Sequence, residues 1–337
     1  MKALLEPIKE IARFDELFRD LKKGTAGVTV ISGCLESQKA HMIAGLSEDA
    51  PVRLLIAENE LKAKELYEDY QLYDAETLYY PAKDLIFYQA DIHGNLLIRQ
   101  RLQVIQALLE RKEVTIITSV GGCMDFLLPL DVFEKHCIHL RNDSELDLDK
   151  IRKELVRLGY ESTFQVESTG QFSVRGGILD IYPLTEQNPI RIELWGDEID
   201  SIRSFDAQSQ RSLENLDEIM IYPAAEQPIE KGEVTFIDYF KDGDSMLFLD
   251  ELNHLEENAK AVEEEFQQSC RNRQEKGETT LSGNWMCSWE ELCKKLNRCN
   301  CIGLSLLDPR KSGWKITGQF NLTVKSMNSY QSSFELL

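Results

Sequence analysis

A chain of 337 residues is too long for one comfortable core and implies two or three domains of about 100 to 150 residues each. Hydrophobic residues at 42% and charged residues at 28% describe an ordinary folded protein and exclude wholesale disorder. A formal charge of −20 opposes broad electrostatic binding to nucleic acid, since phosphate contacts require a cationic face; a basic or polar-cationic protein partner fits better.

The opening MKALLEPIKEIARFDELF carries charges throughout and reads neither as a signal peptide nor as an anchor. No stretch approaches the roughly 20 apolar residues of a membrane span, so no membrane contact is expected and the expected location is the cytoplasm. Periodicity predicts an amphipathic helix over 9–22, then a β-branched strand from Val28 to Ile31 closed by Ser32-Gly33. Strand (Val52 to Ala57), helix (Glu58 to Tyr70) and short strand (Thr77 to Tyr80) follow. A helix from about Leu96 to Lys112 then leads into a strand from Val114 to Thr118. Such alternation implies a parallel sheet covered on both faces.

After Pro129 the pattern changes. A helix over Asp149 to Leu158 precedes closely spaced strands at Phe164 to Glu167, Phe172 to Tyr182, Ile190 to Trp195 and Glu198 to Phe205. Beyond Pro223 and Pro228 come Val234 to Phe240, the strand Met246 to Asp250 and an acidic helix from Leu252 to about Gln268, restoring the α/β style. Residues 1–128 and 226–337 thus read as two pieces of one α/β domain, with 129–225 a smaller α+β unit inserted between them.

The segment Gly33-Cys34-Leu35-Glu36-Ser37-Gln38-Lys39-Ala40 lies between a strand and a helix, as does the phosphate-binding loop G-x-x-x-x-G-K-[ST]. Gly33 and Lys39 match it. Gln38 stands where glycine would let backbone amides wrap phosphates, and Ala40 replaces the hydroxyl that would hold magnesium. Leu247 to Glu251, an apolar strand ending in Asp250 and Glu251, resembles the acidic strand end of such ATPases. With the loop chemistry missing, the expectation is a degenerate nucleotide site with no ATP, no cofactor and no catalysis.

Eight cysteines without a secretory segment are expected as reduced thiols. Cys287, Cys293, Cys299 and Cys301 crowd together without the paired-knuckle spacing of a zinc site, and no metal is expected. The five histidines flank no recognisable nucleophile or metal pair, and His136 and His139 read as surface residues.

Strand alternation puts Ile190, Ile192 and Leu194 on one face and Arg191, Glu193 and Trp195 on the other, with Arg175 on the preceding strand of a hairpin. Adjacent Gly176 and Gly177 suggest a bulge or a close backbone approach. Two readings are open. Either Arg191 pairs with Glu193 or Asp180 while Trp195 caps the sheet edge, or these residues, of types enriched at interface hot spots, form a contact face.

The stretches VRGGILDIYP and PIRIELWGDEIDSIRSFDAQSQRSLE, with Ile98 to Arg101, Leu108 to Arg111 and the strand ending Thr118-Ser119-Val120, resemble the UvrB-homology region of the bacterial transcription-repair coupling factors, the Mfd family. The resemblance covers roughly residues 1–250 and is weaker beyond. It implies a degenerate P-loop NTPase-like (RecA-like) domain in two pieces, 1A-like and 1B-like, with an inserted domain that binds UvrA. It implies UvrA contacts at Arg175, Arg191 and Trp195, where Trp195 departs from the family's usual phenylalanine. It also implies a translocase motor elsewhere in the parent protein, a role in nucleotide excision repair, and contacts with carboxy-terminal domains. The alternative, a UvrB-type ATPase that binds damaged DNA, would need an intact phosphate loop and an aromatic hairpin, for which the interval from Tyr79 to Asn95 is too short.

Overall fold

The computed structural model describes residues 5–11, 13–83, 95–110, 112–224, 234–240, 245–275, 286–310 and 313–323. The expected helix over 9–22 is divided into a 3-10 turn (Glu6–Glu10) and α1 (Phe14–Lys22), because Arg13 takes a left-handed backbone with φ +66°. There follow β1 (Gly27–Ser32), α2 (Glu36–Leu46), β2 (Val52–Ala57), α3 (Glu60–Tyr70), β3 (Leu78–Tyr80), α4 (Asn95–Leu109) and β4 (Val114–Ser119). Asn59 starts α3 by accepting a hydrogen bond from Lys62 N at 3.0 Å.

The middle of the chain forms β5 (Phe126–Leu127), α5 (Leu130–Glu134), β6 (Ile138–Arg141), α6 (Leu148–Arg157), β7 (Glu161–Ser162), β8 (Gln171–Arg175), β9 (Ile178–Ile181), β10 (Ile190–Trp195), β11 (Glu198–Phe205), β12 (Ser212–Leu216) and β13 (Glu218–Ile221). The run 172–182 is therefore a hairpin, not one strand, and Gly176-Gly177 is its turn, with Gly176 at φ +59°. The close approach expected there also occurs: a Cβ on Gly177 would lie 3.1 Å from the Leu194 carbonyl oxygen. The stretch 164–167 is a loop rather than a strand. After β14 (Val234–Thr235) comes a 3-10 turn, Phe236–Phe240. The chain continues through β15 (Ser245–Asp250), α7 (Leu252–Glu275), α8 (Trp289–Leu296), β16 (Asn300–Ser305) and β17 (Ile316–Asn321).

Seven strands make one wholly parallel sheet in the order β17-β1-β16-β15-β2-β4-β3, so the fold is α/β as the alternation predicts. Both faces are buried, one against α2 and α3 and the other against α7 and α8, which explains the near-continuous apolar strands. A second sheet, β12-β11-β10-β9-β8-β7, is antiparallel except for its β7–β8 edge, and its residues fall in sequence between β4 and β15. One face packs on α6. Helix α4 serves both cores: Val104 and Ala107 face the parallel sheet, while Leu102 and Ile105 join the second core. Arg101, fully buried on the same helix, donates to Pro81 O at 2.6 Å and Asp125 Oδ2 at 3.0 Å, and lies 4.1 Å from the Tyr80 ring centroid. No described helix is long and apolar enough to cross a membrane.

Candidate protein-binding face and remnant nucleotide site

On β10, Ile190 and Ile192 are buried and Leu194 packs against the same core, so Arg191, Glu193 and Trp195 point away from it. The antiparallel register places Arg191 opposite Asp180, Ser173 opposite Asp180, and Arg175 opposite Ile178, bringing Arg175, Asp180 and Arg191 onto one face. Asp180 is the hub. Arg191 donates from Nε to Oδ1 at 2.6 Å and from a terminal nitrogen to Oδ2 at 2.8 Å, while Arg175 donates to Oδ2 at 3.0 Å. Arg191 also reaches Gln210 Oε1 at 3.1 Å and lies 4.5 Å from the Phe205 ring centroid, leaving its side chain 16% exposed. Its hydrogen bond to Asp180 raises the guanidinium pKa above its ordinary value, outweighing partial burial. Glu193 is taken by Arg203.

Of the two pairings open to Arg191, the one with Asp180 is formed. Arg175 remains 41% exposed and Trp195 85% exposed, the latter held at the entry to a Gly196-Asp197 turn with Gly196 at φ +67°. The structure thus brings Arg175 and Arg191 together and sets Trp195 beyond them on the same face. Asp180 is the one buried acid of this group. Its central role follows from pairing across three strands, which no single strand's pattern reveals.

The phosphate-loop position lies at the carboxyl ends of β1 and β15. Gly33 has φ +78°, and the chain leaving β17 crosses close above it: Leu322 N donates to Ser32 O at 2.8 Å, and a Cβ on Gly33 would sit 2.4 Å from Leu322 O. Gln38 Oε1 accepts from Leu35 N at 3.2 Å, turning its side chain back onto the helix start, and Ala40 is buried. The Lys39 side chain is 2% exposed. Its ammonium contacts Asp250 at 2.5 Å, Glu36 at 2.8 Å and Glu251 at 3.1 Å. Burial alone would lower its pKa, but the three carboxylates outweigh that and hold it charged above the ordinary lysine range. Burial pushes the Asp250 carboxyl up to about 6 against the opposing pull of Lys39. The adjoining cavity of about 290 Å³ is lined by Glu36, Glu58, Asp250 and Glu251 against Lys39 and Lys62. An anionic polyphosphate would meet more carboxylates than cations there.

Cys293, Cys299 and Cys301 donate to the carbonyls of Gly313, Lys295 and Leu296 at 3.3 to 3.5 Å, and burial pushes the Cys287 thiol up to about 12. All eight cysteines are free, and no described group of three or more His, Cys, Asp or Glu is placed to hold a metal. His139 lies on β6 with Nε2 2.8 Å from Glu218, and His136 sits in the turn before that strand. Phe87 and Tyr88, the aromatics in the interval between Tyr80 and Asn95, lie outside the described residues.

Residues 138–226 match the family described as the UvrB interaction domain, a segment that contains the whole six-stranded sheet. The chain is also similar to proteins named transcription-repair-coupling factor. The identity is 36% over 242 residues in Staphylococcus aureus strain USA300, 37% over 231 residues in strain Mu50, and 34% over 235 residues in Bacillus subtilis strain 168. These alignments cover 65 to 70% of this chain but 19 to 20% of each relative, so the chain spans about a fifth of the length of the curated relatives it matches. The chain is a relative of the transcription-repair-coupling factors, and the part it shares with them carries a UvrB interaction domain.

Proposed function

We propose that this chain is a non-catalytic recruitment module of a transcription-coupled repair factor, acting in the cytoplasm and binding UvrA to bring nucleotide excision repair to stalled RNA polymerase. The observation that carries the reading is a coincidence of position. The UvrB interaction domain match falls on the second sheet, and that sheet's outer face presents Arg175 and Trp195 to solvent around a preorganised Asp180–Arg191 pair. In this reading, 129–225 is the UvrA-binding domain inserted into a degenerate P-loop NTPase-like, RecA-like domain made of 1–128 and 226–337. Docking of the parent protein's carboxy-terminal domains is a further role for the chain's surface.

The remnant nucleotide site supports the non-catalytic part. A phosphate-binding lysine needs an open face for its ligand, whereas Lys39 is enclosed by Asp250, Glu36 and Glu251. The same enclosure disfavours a UvrB-type ATPase, and the charge of −20 disfavours direct nucleic-acid binding. The test is biolayer interferometry of the chain against UvrA and, separately, UvrB, with a magnesium-ATP titration alongside. Saturable binding to UvrA is expected, with none to UvrB and no heat of ATP binding; failure with UvrA overturns the reading, and micromolar ATP binding overturns its non-catalytic part.

A further inference from the structure

We propose that Phe164 is an additional anchor of the UvrA-binding face: a rigidly presented aromatic that seats an apolar side chain of UvrA beside Arg175, which takes a neighbouring acidic one. The inference rests on the function proposed above and deepens it by stating the chemistry of the contact.

Phe164 is 82% exposed, on a par with Trp195. Its exposure does not come from a slack loop. Thr163 N donates to Phe172 O at 2.8 Å, Ser173 Oγ donates to Phe164 O at 2.9 Å, and Gln171 Oε1 accepts from Glu167 N and Ser168 N at 3.0 and 3.1 Å. Val166, two residues on, is buried. Ser173 and Arg175 belong to the outer face, so the loop delivers the ring to that face, where the Arg175 guanidinium lies 5.7 Å from its centroid. A large ring presented to water from a hydrogen-bonded backbone forgoes its burial, and an aromatic, with only two side-chain torsions, loses little conformational entropy when a partner covers it.

Charge identifies the accompanying group. Two guanidiniums, Arg175 and Arg191, share the single carboxylate of Asp180, which leaves a local positive excess, while Arg203 and Glu193 cancel. Arg191 is enclosed, so the half-exposed Arg175 is the cation a partner can reach. At the other end of the face Trp195 has Glu198 across from it, so the reachable cation of the face lies on the Arg175 side. Arg175 and β10 are two strands apart, and Trp195 lies two residues beyond Glu193, which separates the two ends by roughly 12 Å from ordinary strand geometry. A partner element bearing an acid beside an apolar residue at one end fits the face in one orientation.

The experiment measures the affinity of the full chain for UvrA with Phe164→Ala, Phe164→Gln, Trp195→Ala, Arg175→Ala and the Phe164→Ala/Arg175→Ala pair, each checked by thermal melt. Both Phe164 variants are expected to melt like the parent and to bind at least about tenfold more weakly. Phe164→Ala is expected to weaken binding further when added to Arg175→Ala. If Trp195→Ala loses affinity while both Phe164 variants bind within twofold of the parent, Phe164 is not an anchor and the recruitment function stands. If Phe164→Ala adds nothing to Arg175→Ala, the ring only positions the guanidinium and the contact is refuted. If the parent does not bind UvrA, function and anchor fall together.

Discussion

Substituting glutamate at Arg191 and at Arg175 makes the same change in charge but should have unequal effects on folding. Arg191 is 16% exposed and supplies two hydrogen bonds to Asp180, whose side chain is 2% exposed. Glutamate there removes both bonds and sets a second carboxylate against a buried one. Breaking a buried ion pair costs about 3–5 kcal/mol, and because Arg175 still holds Oδ2 at 3.0 Å the lower end, about 3 kcal/mol, applies. At about 2–4 °C per kcal/mol the melting temperature should fall by roughly 6–12 °C. Arg175→Glu loses one half-solvated bond and should cost about 1 kcal/mol, and Trp195→Ala within about 0.5 kcal/mol. Differential scanning calorimetry of the three variants, with UvrA binding measured on each, checks the ordering. An Arg191→Glu protein that melts within about 2 °C of the parent would refute the role of Asp180 as hub. It follows that binding losses at Arg175 and Trp195 report contact directly, whereas those at Arg191 combine contact with support.

Lys39→Met should destabilise the chain by about 3–5 kcal/mol in urea unfolding, because Asp250 is left buried without its cation, and Lys39→Met/Asp250→Leu should recover most of the loss. Recovery that fails would show the ion pair to be stabilising in its own right. Asp250 has a folded pKa of about 6 against 3.8 for the free side chain, so its contribution to stability is present below about pH 4 and is lost as pH rises through 6; Asp250→Asn should flatten that part of the stability profile. Gly33→Ala should cost more than about 1 kcal/mol, since a Cβ at φ +78° would meet Leu322 O at 2.4 Å, and an unchanged melt would show that the crossing segment yields freely. Arg101→Met should lower stability by about 3–5 kcal/mol, measured by chemical unfolding, because it removes the fully buried guanidinium that pairs with Asp125 at 3.0 Å.

Where a strand is a single uninterrupted pattern its limits are legible: Val52 to Ala57, Ile190 to Trp195 and Glu198 to Phe205 occur as the alternation and β-branching predict. The pattern misleads where a turn interrupts it without a polar break. The two-residue turn Gly176-Gly177 moves the inward positions from Phe172 and Val174 to Leu179 and Ile181, but apolar Ile178 follows the glycines at once, so a hairpin reads as one strand. The loop carrying Phe164 is shaped by side-chain hydrogen bonds from Gln171 and Ser173, which local propensity does not encode. The outward side of β10 was legible from alternation. That Arg191 is enclosed was not, because Asp180, Gln210 and Phe205 reach it from other strands and turns. The fate of Lys39 was hidden for the same reason: Glu251, one of its partners, is 212 residues away in sequence.

Strand β1 lies between β16 and β17, and its Thr29 touches Thr317, 288 residues later in the chain. The bonds of the second sheet are short-range by comparison, the Asp180–Arg191 pair spanning 11 residues. During synthesis at about 5–20 residues per second, the second sheet can fold before β1 acquires both neighbours, an interval on the order of ten seconds. Throughout that interval the sequence VTVIS has edges open to other chains, a known route to aggregation. Slowing translation, or removing the last two strands, would prolong the exposure of β1 while leaving the short-range pairs around Asp180 and Arg191 free to form.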